Sequence, residues 1–303
     1  MTNLDFSSIK VLLIGDFMID HYVIGTSSRV SPEADVPVMK IVDEHLRLGG
    51  AGNVALNLKK MGANVMCMGY VGDDKIGRKL LSLLNKNDID TQHIKIIDNY
   101  ITTLKKRFYS NGSQVLRIDE ELLCEPYDTS GVDFNKFDVV IISDYNKGVV
   151  KEIDFRAKII LVDPKKSDFS VYKNSHIITP NNDELQAASN IIISDDNSVI
   201  EACNLLIKKN NFEYIVAKRG ERGMIVVGKN NFVKKINAHK VKNPDVNGAG
   251  DTVISLLSLA YAKTRDIEFS SIIANLGASL VVEKIGTETT NKLELVKRLD
   301  EIT

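Results

Sequence analysis

The sequence predicts an α/β fold, a three-layer sandwich around a mainly parallel central sheet with a small group of strands outside it. Three observations carry that expectation. Short, continuous apolar runs recur along the 303 residues, as strands covered on both faces should. Stretches with helical spacing lie between most of them. Two segments, about 22–47 and 101–119, break this rhythm.

The first strand is Lys10-Val11-Leu12-Leu13-Ile14. Ala51, Val54, Ala55, Leu58 and Met61 then share one helical face, with Gly62 as the stop. Further strands are expected at Val65–Met68, Val139–Ile142, Ile159–Val162, His176–Thr179, Tyr214–Ala217 and Met224–Val227, and helices at Ile76–Leu84, Ser198–Lys208 and Phe269–Val282. Only about fifteen residues separate Ile142 from Ile159, so the crossover helix there must be short. Of the two segments that break the rhythm, one holds an extended run from Val36 to Val42. The other places Thr103, Lys105, Arg107 and Tyr109 on one strand face before a turn at Asn111-Gly112-Ser113. Both read as antiparallel strands that pair as a lid. No low-complexity linker sets them apart, so residues 1–303 read as one domain.

Composition narrows the function classes. With 44% hydrophobic and 26% charged residues the chain can bury a large core. A net charge of -1 gives no reason to expect nucleic acid or a membrane surface as partner. Cys67, Cys124 and Cys203 are widely spaced and read as reduced, which with the absence of a signal peptide or an apolar run of membrane length suggests a cytoplasmic address. The five histidines show no metal-ligand spacing, and no residues are assigned to a metal.

The chemistry concentrates in Asp245-Val246-Asn247-Gly248-Ala249-Gly250-Asp251-Thr252, followed by the apolar stretch Val253–Ala260. Small residues at a helix start let backbone N–H groups meet an anion. Asp251, at the mouth of that anion hole, is placed to take a proton. Gly248, Ala249, Gly250 and Asp251 thus supply a phosphate hole and a base, the minimum for moving a phosphoryl group onto a hydroxyl. No GxxxxGK[ST] loop and no GxGxxG fingerprint is present.

Other residues gather at predicted strand ends, where ligands of open α/β sheets bind. Asp16 and Asp20 suit sugar hydroxyls or serve as turn and cap residues. Gly49 and Gly50 open the helix carrying Asn53 and Asn57, an amide pair that fits hydroxyls as well as a solvated edge. Lys105 and Arg107 match a phosphate already on the substrate, or keep an edge strand soluble. Asp144 and Lys147, with Asp163-Pro164-Lys165 and Pro180–Glu184, point to one shared cleft. The loop Lys218–Gly223 suits the nucleotide side.

In this order the motifs resemble the ribokinase-like (pfkB) carbohydrate kinases, through Gly248–Asp251 and Gly49–Asn53. Gly15–Tyr22, Ser28–Ala34, Ser143–Gly148, Asp163–Lys165 and Thr179–Asn181 are similar, more narrowly, to the heptose 7-phosphate kinases of ADP-heptose synthesis, over nearly the whole chain. The chain lacks an HxGH element and so resembles the stand-alone kinase rather than the fused form. The resemblance implies a ribokinase-like fold and transfer from MgATP to the anomeric hydroxyl of D-glycero-D-manno-heptose 7-phosphate, on the way to lipopolysaccharide. It also implies a monovalent cation and a homodimer built through the lid. Residue by residue, it assigns Asp251 as base and Gly248, Ala249 and Gly250 as anion hole. Asp16, Gly50 and Asn53 fall to the sugar site, and Asn181, Glu184, Lys218 and Gly220 to the ATP side. One departure stands out: Asn247 occupies a place where the family usually has threonine or serine. Competing readings are a same-fold kinase for fructose phosphate, ribose or a nucleoside, and a silent sugar-binding regulator.

Overall fold

The computed structural model describes residues 4–242, 244–284 and 286–301. In chain order the strands are β1 (Lys10–Gly15), β2 (Phe17–Val30), β3 (Pro37–Gly50), β4 (Asn64–Gly72), β5 (Ile94–Ile97), β6 (Thr103–Ser110), β7 (Ser113–Glu120), β8 (Val139–Ser143), β9 (Ile160–Asp163), β10 (Ile177–Ile178), β11 (Tyr214–Lys218), β12 (Met224–Gly228) and β13 (Phe232–Ile236). The helices are α1 (Ala51–Lys60), α2 (Lys75–Lys86), α3 (Asn182–Ser189), α4 (Asp196–Asn210), α5 (Ala249–Thr264), α6 (Ile267–Val282) and α7 (Lys292–Asp300).

Nine strands form the main sheet in the order β13-β12-β11-β10-β9-β8-β1-β4-β5, parallel from β11 to β5 and antiparallel at β12 and β13. Its centre is apolar on both faces. Val11 and Leu13 of β1 face the core shared with α1, α5 and α6, whereas Leu12 and Ile14 face the core shared with α3 and α4. This is why the run is continuous in sequence. α5 is almost wholly buried from Asp251 to Tyr261, and α6 crosses it so closely that a Cβ at Gly277 would lie 1.9 Å from Leu256 Cδ1.

The remaining strands form a separate sheet, β3-β2-β6-β7. β2 and β3 are antiparallel, as are β6 and β7, whose Asn111-Gly112 turn has both φ angles positive. The two hairpins join through β2 and β6 in parallel, Asp20 opposite Lys105, and not antiparallel as the sequence suggests. Each hairpin has its own local alternation, but nothing local fixes the direction in which they meet. β7 is exposed along its whole length.

A second correction concerns the crossover from β8 to β9. The strands pair in parallel, Val140 opposite Ile160, yet no helix lies between them. Ile153, Phe155 and Ala157 alternate with exposed Asp154 and Arg156, a period of two that lays an extended segment on the sheet. Phe155 stacks on Phe134 with ring centroids 3.9 Å apart. A cavity of about 460 Å³ remains there, bounded by Ile14, Phe134, Ile142 and Phe155.

Candidate active site

The carboxyl ends of β8, β9 and β11, the start of α5 and the inner part of the small sheet surround a cleft of about 250 Å³. Asp20, Gly50, Lys105, Arg107, Asp144, Glu184, Lys218, Gly248, Gly250 and Asp251 line it, together with Tyr145, Asp163, Lys165 and Thr287. The larger cavity beside Phe155 holds none of the predicted site residues. Volume alone would therefore have misplaced the site.

Gly248 is the N-cap of α5 with φ 77°, a conformation that costs other residues about 1 kcal/mol or more. A Cβ there would also lie 2.8 Å from Asn53 Nδ2. The Ala249 N–H is taken by the Val246 carbonyl at 3.2 Å. Among the described residues, the N–H groups of Gly248, Gly250 and Asp251 make no protein hydrogen bond. The open donors are thus 248, 250 and 251 rather than 248 to 250. Lys218 Nζ lies 3.4 Å, and Asp163 Oδ2 3.7 Å, from the place a Cβ on Gly250 would occupy.

Asp251 is 4% exposed. Asn53 Nδ2 donates to its Oδ2 and the Tyr145 hydroxyl to its Oδ1, each at 2.7 Å. Burial raises its pKa to about 7. The two hydrogen bonds oppose that rise, and the charges of Asp163 and Asp20 add to it. A carboxylate near neutrality is suited to accept a proton at physiological pH. Lys218 donates to Asp163 Oδ1 at 2.5 Å. Burial acts to lower the Lys218 pKa, but Asp163 and Glu184 hold it above the ordinary value.

Across the cleft, Arg107 is buried. Its Nη1 donates to Asp20 Oδ1 at 2.5 Å, and Thr287 Oγ1 donates to Asp20 Oδ2 at 2.9 Å. The edge-strand reading fails for this pair, because β6 lies inside the small sheet between β2 and β7. Lys105 sits 5.0 Å above the Tyr145 ring and makes no ion pair among the described residues. Burial lowers its pKa.

Several predicted residues stand behind the cleft wall. Asp16, 2% exposed, accepts from the N–H groups of Tyr145 at 2.7 Å and Lys147 at 3.1 Å, and burial raises its pKa to about 6. Gly49 makes room for Asp20, whose Oδ2 would lie 2.7 Å from a Cβ. Lys147 pairs with Glu121 at 2.6 Å. Asn57 is fully buried, with Thr252 Oγ1 donating to its Oδ1, so it is neither a sugar ligand nor a solvated edge. Asn181 caps α3 in a capping box with Glu184. Gly220 and Gly223 bound the short 3-10 turn between β11 and β12 and lie outside the cleft lining. Asn247 folds back, Nδ2 donating to Asp245 Oδ1 at 2.7 Å, while Asp245 Oδ2 accepts from the Gly286 N–H.

Two residues escaped the sequence reading. Tyr145 lay inside a noted motif, but a tyrosine is usually core. Thr287 had no local signal; its link to Asp20 spans 267 positions.

Comparison with known proteins agrees with this geometry. Residues 8–293 match the model of the pfkB family carbohydrate kinases. Curated relatives include the bifunctional protein HldE of Aliarcobacter butzleri, 38% identical over 94% of this chain, and that of Shewanella sp. strain MR-4, 38% identical over 97%. The chain spans 63% and 64% of their lengths. Among solved structures, ribokinase from Thermotoga maritima superposes with a TM-score of 0.78 at 17% identity, covering 96% of this chain and 99% of that one. Phosphofructokinase-2 from Escherichia coli gives 0.77 at 16%, covering 97% and 99%.

Proposed function

Because this chain belongs to the pfkB family of carbohydrate kinases and is an ATP-dependent sugar kinase, we propose that its acceptor is heptose 7-phosphate, phosphorylated on the anomeric hydroxyl. The observation that carries this reading is one cleft with a near-neutral carboxylate at a helix start on one side and, on the other, Lys105, a cation that makes no ion pair among the described residues. A sugar that already bears a phosphate matches Lys105, while Arg107 is occupied by Asp20. Its far hydroxyl then reaches Asp251. The order of motifs along the chain supports a heptose.

In the transfer, Asp251 takes the hydroxyl proton as the acceptor oxygen attacks the γ-phosphorus and the bond to the ADP oxygen breaks. The N–H groups of Gly248, Gly250 and Asp251, with Lys218, face the transferring group. The described residues contain no cluster of three or more His, Cys, Asp or Glu that could cage a metal. Mg²⁺ is held through one or two carboxylates and the substrate phosphates, and carboxylates line this cleft. Asp163 and Glu184 would hold it. When bound it neutralises phosphate charge. The small sheet acts as a lid on the sugar, and its exposed Val115, Leu116 and Ile118 build a homodimer.

The test is ADP release with heptose 7-phosphate, fructose 6-phosphate and ribose in parallel. Turnover with the heptose at least about 100-fold above the others is expected, and comparable turnover with ribose overturns the reading. Lys105→Met should raise KM for the sugar phosphate about tenfold or more and leave KM for ATP near its starting value.

A further inference from the structure

The loop after β8 has no crossover helix to hold it, yet it carries the hydroxyl nearest the base. We infer that Tyr145 is a positioning residue for Asp251, with Asp16 acting through it by fixing its backbone. The inference rests on the reading of Asp251 as general base.

The tyrosine hydroxyl reaches 106 positions along the chain to donate to Asp251 Oδ1 at 2.7 Å. A buried tyrosine hydroxyl needs a partner: Tyr127 gives its own to the His93 carbonyl, Tyr172 to Asp144 Oδ2, and Tyr145 to the carboxylate at the start of α5. Burial and the Asp251 charge push the Tyr145 pKa well above the ordinary value, so the phenol keeps its proton. It is a pure donor towards Asp251. Asn53 Nδ2 is the same on the other oxygen. Neither partner competes for the substrate proton, and both hold the carboxylate plane while its remaining lone pairs are free to accept that proton.

The backbone of Tyr145 is held as tightly as its tip. Asp16 Oδ2 accepts from the N–H groups of both Tyr145 and Lys147, which bracket Asn146 with its φ of 58°. Asp144 fastens the other side. Its N–H donates to the Asp163 carbonyl, and its Oδ2 accepts from the Tyr172 hydroxyl at 2.7 Å. Asp16 is 2% exposed, and backbone N–H groups oppose the cost of its burial. Burying a carboxylate is costly, and an ordinary turn would be served by asparagine or serine. What this carboxylate secures is the position of Tyr145. Lys105 lies over the ring at 5.0 Å, so the residue assigned to the substrate phosphate also covers the residue that orients the base.

The experiment is the pH profile of kcat/KM for Tyr145→Phe, Asp16→Asn and the double variant. Removing the phenol removes a hydrogen bond that favours charged Asp251, so the acidic limb moves up by about one pH unit. At pH 8 kcat falls about tenfold while KM for ATP stays within about twofold. Asp16→Asn moves the limb the same way by less. The double variant is no worse than Tyr145→Phe, because both act through one contact. An unmoved limb in Tyr145→Phe, whatever its kcat or melting temperature, overturns the inference. Should that variant fail to fold, the Asp16→Asn profile decides in the same manner. Asp251→Asn separates the two readings. Near-normal turnover there sinks the base itself, whereas an inactive Asp251→Asn beside an unmoved Tyr145→Phe limb sinks only the positioning role.

Discussion

The two sheets of this protein solve opposite problems. The nine-stranded sheet is covered by helices on both faces, and the base it supports belongs to α5, whose residues from Asp251 to Tyr261 are all buried. The four-stranded sheet has a buried inner end at Phe17–Val23, Leu48–Gly50 and Leu104. Its outer end is open, with Val30, Ile41, Val42, Val115, Leu116 and Ile118 exposed. Chemistry is placed where burial is complete, because a carboxylate reaches a pKa of about 7 only when water is removed from it. Acceptor recognition is placed on a sheet that has surface to spare. The difference teaches that desolvation raises the Asp251 pKa, while the opposing sheet carries a cation, Lys105, that lines the cleft.

The strongest way to break this contrast is Asp251→Asn. Turnover should drop by roughly 10²- to 10⁴-fold while circular dichroism and binding of both substrates persist. The same variant tests the burial argument through pH. Asp251 and Asp16 titrate at about 7 and about 6 in the folded protein, against 3.8 for an ordinary aspartate. Between those values the folded protein holds protons that the unfolded chain has released. The contribution of these two groups to stability is therefore fully present below about pH 4 and declines as pH rises to about 7. Melting curves should show that decline in the wild type and a shallower one in Asp251→Asn. Identical slopes would mean that Asp251 is not desolvated.

Next in size is a pair of truncations. Leu257, fully buried in α5, should cost about 2–5 kcal/mol when replaced by alanine. Leu116, 52% exposed on β7, should cost less than about 0.5 kcal/mol. Denaturant titration of both variants measures the contrast directly, and equal losses would erase it. The smallest expected effect on stability is Ile118→Lys on the outer face of β7. It should leave the melting temperature within about 2 °C and, for the homodimer proposed above, shift sedimentation from dimer to monomer. A dimer that persists moves the interface away from this sheet.

Much of the body was legible because its signals are local. A short, continuous apolar run such as Val11–Ile14 suits a strand covered on both faces, and the spacing from Ala51 to Met61 suits one helical face. The Gly248–Asp251 start was legible for a similar reason: a left-handed glycine before an apolar helix leaves free N–H groups. The missing crossover helix was legible too, in the alternation of Ile153, Phe155 and Ala157, but the expectation that parallel strands are joined by a helix overrode it. Lys105 and Arg107 looked equivalent in sequence. Only pairing with Asp20 separates them.

By itself, then, the sequence determined the layers, the glycine-rich start of α5 and the candidate proton acceptor there, since each rests on the order of residues within one turn or one strand. The tertiary structure alone decided who holds whom. Asp16 lies behind the cleft wall, Thr287 reaches Asp20, and Tyr145 meets Asp251. These contacts join residues 106 to 267 positions apart. Hydrogen bonds of that span arise where packing brings distant strand ends and helix starts together, a property of the packed chain that no local pattern encodes.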